Sequence, residues 1–154
     1  MTVYYLDTSA LVKGYANEVG SQRVQRLLLA PQSHTFYTAR LAGPEMVAAL
    51  FRKTRTREIP RAVAVQLTQT FKRDWRRRFR IVEIDIQVSD RAMELAEQHG
   101  LRGYDAVHLA SALLLHESRR ANRLPDMIFL AADVDLLQAA AAAGLCTDNP
   151  NQYA

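Results

Sequence analysis

Short apolar runs alternate with helix-period segments along the whole chain, and this alternation narrows the possible folds more than any other feature. Val3-Tyr4-Tyr5-Leu6, Thr35-Phe36-Tyr37-Thr38, Ile81-Val82-Glu83-Ile84 and Met127-Ile128-Phe129-Leu130 have the length and the β-branched or aromatic content of strands. Leu145-Cys146-Thr147 offers a shorter fifth. Between them lie helical stretches. Ala10 to Tyr15 comes first, then Ser21 to Ala30, with Val24, Leu27 and Leu28 on one face and Pro31 as its stop. Gly43-Pro44 opens the next, with Pro44 near the first helical position, and Val47, Leu50 and Phe51 face inward. Pro60 starts a helix to about Arg78, in which Val63, Leu67 and Phe71 recur. Val88 to His99, Tyr104 to Arg119 and Val134 to Ala143 complete the series, with Gly100 and Gly144 as C-caps. Strand–helix alternation predicts an α/β fold: a parallel sheet of four to five strands with helices on both faces.

The 154 residues suit a single domain spanning 1–154, and no repeat or linker divides them. No apolar window reaches membrane-spanning length. Asp7 stands where a secretion signal is apolar, so the expected location is cytoplasmic, with no membrane partner. Cys146 is the only cysteine and reads as a small core residue.

The net charge is +4, but its distribution says more than its sum. Lys53, Arg55, Arg57 and Arg61 form one basic cluster. Lys72, Arg73, Arg76, Arg77, Arg78 and Arg80 form a denser one that also carries Trp75 and Phe79. Phosphate backbones are natural partners for such clusters, and Arg73, Arg76 and Arg77 are the RNA-binding candidates. The plainer reading is a solvated helix face, with Asp74 and Arg78 paired at i,i+4. Trp75 and Phe79 read as a core or dimer stripe ahead of a base-stacking platform.

Four acids share one kind of address. Asp7 ends the first strand, Glu45 and Asp105 lie in first helical turns, and Asp133 follows the fourth strand. Strand carboxyl ends and the helix N-termini after them share one edge of a parallel sheet, so the four can converge. Two carboxylates about 4 Å apart repel by roughly 4 kcal/mol at an effective dielectric near 20. Convergence therefore calls for a proton or a cation. Hard oxygen donors suit Mg²⁺ or Mn²⁺, and such a site suits phosphodiester hydrolysis. Singly, each acid also reads as a helix cap or a dipole partner, and Thr8 or Ser9 can cap the first helix. Ser9 and Asp135 are secondary candidates as outer ligands, and Lys13 as a phosphate contact. His108, three residues after Asp105, reads as a structural hydrogen bonder. His34, His99 and His116 show no zinc spacing with Cys146 or with each other.

Leu6-Asp7-Thr8-Ser9-Ala10-Leu11-Val12-Lys13, Pro44-Glu45-Met46-Val47-Ala48-Ala49-Leu50, Tyr104-Asp105-Ala106-Val107-His108-Leu109-Ala110 and Ala131-Ala132-Asp133-Val134-Asp135-Leu136-Leu137 resemble the successive motifs of the PIN domain, most closely those of VapC-type toxins. The resemblance covers nearly the whole chain in order. It implies a PIN-like three-layer fold and a metal-dependent endoribonuclease, with Asp7, Glu45, Asp105 and Asp133 as the catalytic acids and Asp7, Asp105 and Asp133 on the metal. It also implies an RNA substrate, a homodimer and a small antitoxin that blocks the pocket. The basic segment Lys72 to Arg80 lies outside the matched pattern. The alternative is a catalytically inactive RNA- or protein-binding module of the same fold. Aspartate-based phosphoryl transfer is disfavoured because Asp7-Thr8-Ser9 lacks a second acid two residues on, and no glycine-rich phosphate loop occurs.

Overall fold

The computed structural model describes residues 1–153; Ala154, the last residue of the expected domain, lies outside them. Strands β1 (Thr2–Leu6), β2 (His34–Ala39), β3 (Phe79–Val82), β4 (Met127–Leu130) and β5 (Cys146–Asp148) form one sheet in the order β3-β2-β1-β4-β5. Every pairing is parallel. The helices are α1 (Thr8–Leu11), α2 (Ser21–Leu28), α3 (Ala42–Arg55), α4 (Arg61–Arg77), α5 (Ile86–His99), α6 (Gly103–Ala121) and α7 (Val134–Ala142). A 3₁₀ turn over Val12–Gly14 extends α1.

Alternation along β1 separates two cores. Val3 and Tyr5 pack with α5, α6 and α7, through residues such as Leu95, Leu109 and Leu136. Tyr4 and Leu6 pack with α1 to α4, through Leu11, Val24, Met46 and Phe71. Both faces of the central strand are therefore apolar, as a fully covered parallel sheet requires. Leu6 and Leu130 are fully buried partners across the β1–β4 ladder. Burial of such a side chain contributes about 1.5–3 kcal/mol, which holds the ends of these two strands side by side. From β1 the chain builds outward to β2 and β3 on one side, then crosses to β4 and β5 on the other. The crevice beyond β1 and β4 is thus the switch point where ligands bind in such sheets.

Several local expectations shift. The third strand runs Phe79–Val82, not Ile81–Ile84, because its partner β2 ends at Ala39, opposite Val82. Phe79 is thereby a buried strand residue, and the Trp75/Phe79 helical stripe does not exist; Trp75 packs on Phe71 instead, with ring centroids 5.5 Å apart. On α4 the buried positions are Ala64, Thr68, Phe71 and Asp74, while Val63 is exposed. Helix α3 begins two residues before Pro44, which still lies in the first turn, where its missing N–H leaves no bond unmade. Cys146 is exposed, because β5 is an edge strand.

Candidate functional site

β1 turns directly into α1, and this tight exit decides what Asp7 does. Its backbone is extended and its Oδ1 accepts from the Ala10 N–H at 3.0 Å, so Asp7 itself is the N-cap. The sequence offers that cap to Thr8 or Ser9, but the helix already begins at Thr8, which leaves both hydroxyls for side-chain bonds. Ser9 Oγ donates to the Asp7 carboxylate, 2.7 and 2.8 Å from its two oxygens, and accepts from the Ala132 N–H at 2.9 Å. Its one proton is committed to Asp7, so Ser9 clamps Asp7 to the β4–α7 connection.

Glu45 comes from the first turn of α3, and His108 from α6 fixes it. A carboxylate only accepts, so His108 Nε2 carries the proton and donates to Glu45 Oε1 at 2.9 Å. Its Nδ1 lies 3.0 Å from the buried Tyr5 hydroxyl, a hydrogen bond that fixes the ring. Thr8 Oγ1 donates to the same Glu45 oxygen at 2.7 Å. Burial raises the Glu45 pKa, but the bonds from His108 and Thr8 outweigh it and leave the group below its ordinary value. His108 is thus the structural hydrogen bonder the sequence favours, and what it holds is a site acid.

Asp105 lies in the first turn of α6, and Asp133 caps α7 by accepting from the Leu136 N–H at 2.9 Å. Asp7, Glu45, Asp105 and Asp133 line one pocket of about 370 Å³. Burial, followed by the charges of Asp133 and Asp7, pushes the Asp105 pKa up to about 6. Burial also raises Asp7, against the opposing pull of His108 and the bonds from Ala10 and Ser9. The cation in contact with these acids is Arg102, whose guanidinium lies 3.5 Å from Asp105 and 3.7 Å from Asp133 while staying largely exposed.

Other predicted residues lie elsewhere. Lys13 is buried and points away, donating to Glu18 at 3.1 Å and to the Val19 carbonyl at 2.9 Å, so it reaches no phosphate in the pocket. Asp135 is exposed and lines a separate hollow with His99 and Gln138, because a residue two positions past a helix cap points off its far side. Arg77 lines a hollow at the opening ends of β2 and β3, across the sheet from the acids. Arg73 lies 3.7 Å from Asp74 on the exposed side of α4. Arg76 lines the groove next to the acid pocket. Two pocket residues escaped the sequence reading: Arg52 and Arg102. Their signal was spacing, since Arg52 is two turns after Glu45 on α3 and Arg102 is three residues before Asp105.

All four acids offer hard oxygen, which fits a divalent cation of the Mg²⁺ class. The raised Asp105 pKa comes first from burial and then from the charges of Asp133 and Asp7, both of which a bound cation would offset. As the side chains stand, no group of three or more His, Cys, Asp or Glu among the described residues is drawn in tightly enough to enclose an ion. Arg102 bridges two of the acids instead.

A parallel sheet in this order, with acids gathered from four separate segments at its switch point, defines a PIN-type α/β protein. Residues 4–142 match the PIN domain family, and the chain belongs to it. The chain is 34% identical over 152 residues to ribonuclease VapC45 of Mycobacterium tuberculosis, covering 99% of this chain and 98% of that protein. Among solved structures, VapBC2 from Rickettsia felis bound to a fragment of its promoter DNA is similar with a TM-score of 0.59 at 15% identity, over 96% of this chain and 98% of that one. VapC20 of Mycobacterium tuberculosis, a toxin that cleaves the sarcin–ricin loop, gives a TM-score of 0.59 at 18% identity, over 94% and 96%. No helix among the described residues is long and apolar enough to cross a membrane.

Proposed function

We propose that this protein is a divalent-metal-dependent endoribonuclease acting in the cytoplasm as the toxin of a toxin–antitoxin pair. The observation that carries the reading is the convergence of Asp7, Glu45, Asp105 and Asp133 in one pocket whose charge is under-compensated, in a chain with a full-length ribonuclease relative. Asp7, Asp105 and Asp133 would hold Mg²⁺ or Mn²⁺, which when bound supplies Lewis-acid activation and charge neutralisation at the phosphodiester. Glu45, kept ionised by His108 and Thr8, serves as a fixed anion beside that site. Ser9 holds the Asp7 carboxylate in place, and Arg52 and Arg102 flank the pocket where phosphates enter. Water adds to phosphorus and the bond to the 3′ oxygen breaks, leaving a 5′-phosphate and a 3′-hydroxyl. A small antitoxin is the expected inhibitor; the bridging guanidinium of Arg102 illustrates how a partner's arginine could engage the same acids. The active form is expected to be a homodimer.

The test incubates single-stranded RNA with wild type and Asp7→Asn, with Mg²⁺ or Mn²⁺ and with EDTA. Cleavage by wild type that EDTA and the substitution each abolish supports the reading. Cleavage surviving both refutes it, and metal binding without turnover favours the inactive module.

A further inference from the structure

The face of α3 next to the acid pocket borders a second hollow that the catalytic reading leaves unused. Ala48 lines both, so one small, exposed residue is the only ridge they share. On the far side lies a groove of about 640 Å³ between α3 and α4, floored by Val47, Phe71 and Trp75. That volume falls in the range of about 300–1,000 Å³ typical of small-ligand sites. Trp75 is half-buried and closely backed by α3: a Cβ on Gly43 would come within 3.3 Å of its indole ring. Lys72 and Arg76, one turn apart on α4, also line the groove, and no acid among the described residues does. Each of these features has a match in a single nucleic-acid strand. Its bases are flat and apolar-faced, its phosphates are anionic, and it would run on from the scissile bond next door.

We propose that the α3–α4 groove is a base-stacking subsite for unpaired nucleotides flanking the cleaved bond, with Trp75 as the platform and Lys72 and Arg76 on the adjoining phosphates. This deepens the ribonuclease reading and rests on it. The subsite selects single-stranded RNA, because a paired base has no free face to offer.

Trp75 is the only tryptophan, so its emission reports on this groove alone. The experiment titrates Asp7→Asn protein with a single-stranded oligoribonucleotide that wild type cleaves, with the same strand bearing abasic positions beside the cleaved bond, and with its duplex. Fluorescence anisotropy of labelled strands follows binding in parallel. The expected result is quenching of Trp75 by the intact strand alone. Abasic substitution and Trp75→Phe should each weaken binding several-fold, and Lys72→Gln with Arg76→Gln should weaken it and flatten its salt dependence. The double variant leaves the aromatic floor intact, so its result does not depend on Trp75→Phe folding well. Saturable binding of a cleavable strand with unchanged Trp75 emission overturns the subsite while the nuclease reading stands. Absence of both cleavage and binding overturns both. Emission that instead follows protein concentration, or responds only to an antitoxin, assigns the groove to a second copy or to a protein partner and overturns the proposal.

Discussion

Two clusters of charge lie on either side of the α1 extension, and they are built on opposite principles. In the Lys13–Glu18–Lys53–Glu58 cluster every acid meets a cation: Glu18 lies 3.1 Å from Lys13 and 2.8 Å from Lys53, and Glu58 lies 3.0 Å from Lys53. Burial opposes the Glu18 charge, yet bonds from Lys53 and Lys13 prevail and lower its pKa. In the pocket, Asp105 and Asp133 share the exposed Arg102, and burial together with the charges of Asp133 and Asp7 drives Asp105 up to about 6. The first cluster stabilises the loop between α1 and α2. The second holds charge that folding alone does not reward, the pattern expected where a ligand completes the site.

The sharpest way to break the comparison is to neutralise one acid on each side. Asp105→Asn should lower RNA cleavage at least about a hundredfold, since a charge needed only in the reaction is lost. The same variant, metal-free at neutral pH, should melt at or above the wild-type temperature, because a repelled carboxylate has been removed. A melting point well below wild type would show that the pocket charge is structural after all. Lys13→Met should do the reverse. It strips a buried partner from Glu18 and from the Val19 carbonyl, at a cost of about 1–3 kcal/mol. For a chain of this length that is a fall of roughly 3–10 °C, read by thermal melting. Loss of cleavage without loss of stability in Lys13→Met would mean that Lys13 serves the pocket.

Proton linkage sharpens the contrast further. The folded Asp105 pKa of about 6 exceeds the ordinary 3.8, so the metal-free folded chain holds an extra proton between about pH 4 and pH 6. Its stability should therefore fall as pH rises through that window and stay low at neutral pH, by about 1–2 kcal/mol after allowing for partial solvent access. Glu18 has the opposite sign: its contribution is full above its ordinary pKa and is lost only in more acidic solution. Saturating Mg²⁺ or Mn²⁺ should cancel the fall, because the ion binds the deprotonated acids. Melts from pH 4.5 to 7.5, with and without the ion, check this. A metal-free protein that grows steadily more stable up to pH 7.5 would contradict it.

What was legible in the sequence follows from the range of the interaction that fixes each feature. Strand and helix identity is local, so Met127–Leu130 came out residue for residue, and the four acids could be placed because strand ends and first helical turns share an edge by topology. Strand β3 was placed two residues late because its start is set by its partner Phe36, far away in sequence. Side-chain direction was the least legible. Ser9 sits within one turn of Asp7 and Lys13 about one turn beyond Ser9, yet Lys13 turns to Glu18 and Ser9 commits its proton to Asp7, choices that depend on the loop after α1 and on Ala132. The basic run divides in the same way: one helix carries Arg76 toward the pocket side, while Arg77, one residue on, lines a hollow at the far edge of the sheet.

The smallest expected effect isolates the arginine that contacts two of the pocket acids. Arg102 is 67% exposed at its side chain and lies 3.5 and 3.7 Å from its two acids, so solvent screens most of its attraction. Arg102→Gln should therefore change metal-free stability by less than about 1 kcal/mol, far less than Lys13→Met does. Its signature is in the slope rather than the height of the pH curve. Arg102 pulls the Asp105 pKa down, so without it the carboxyl should titrate higher still, and the fall in stability should extend past pH 6 toward neutrality. NMR titration of the Asp105 carboxyl in the two proteins measures that shift directly. A pKa that stays put or drops in Arg102→Gln would mean that the guanidinium is a bystander and that other groups set the field in the pocket.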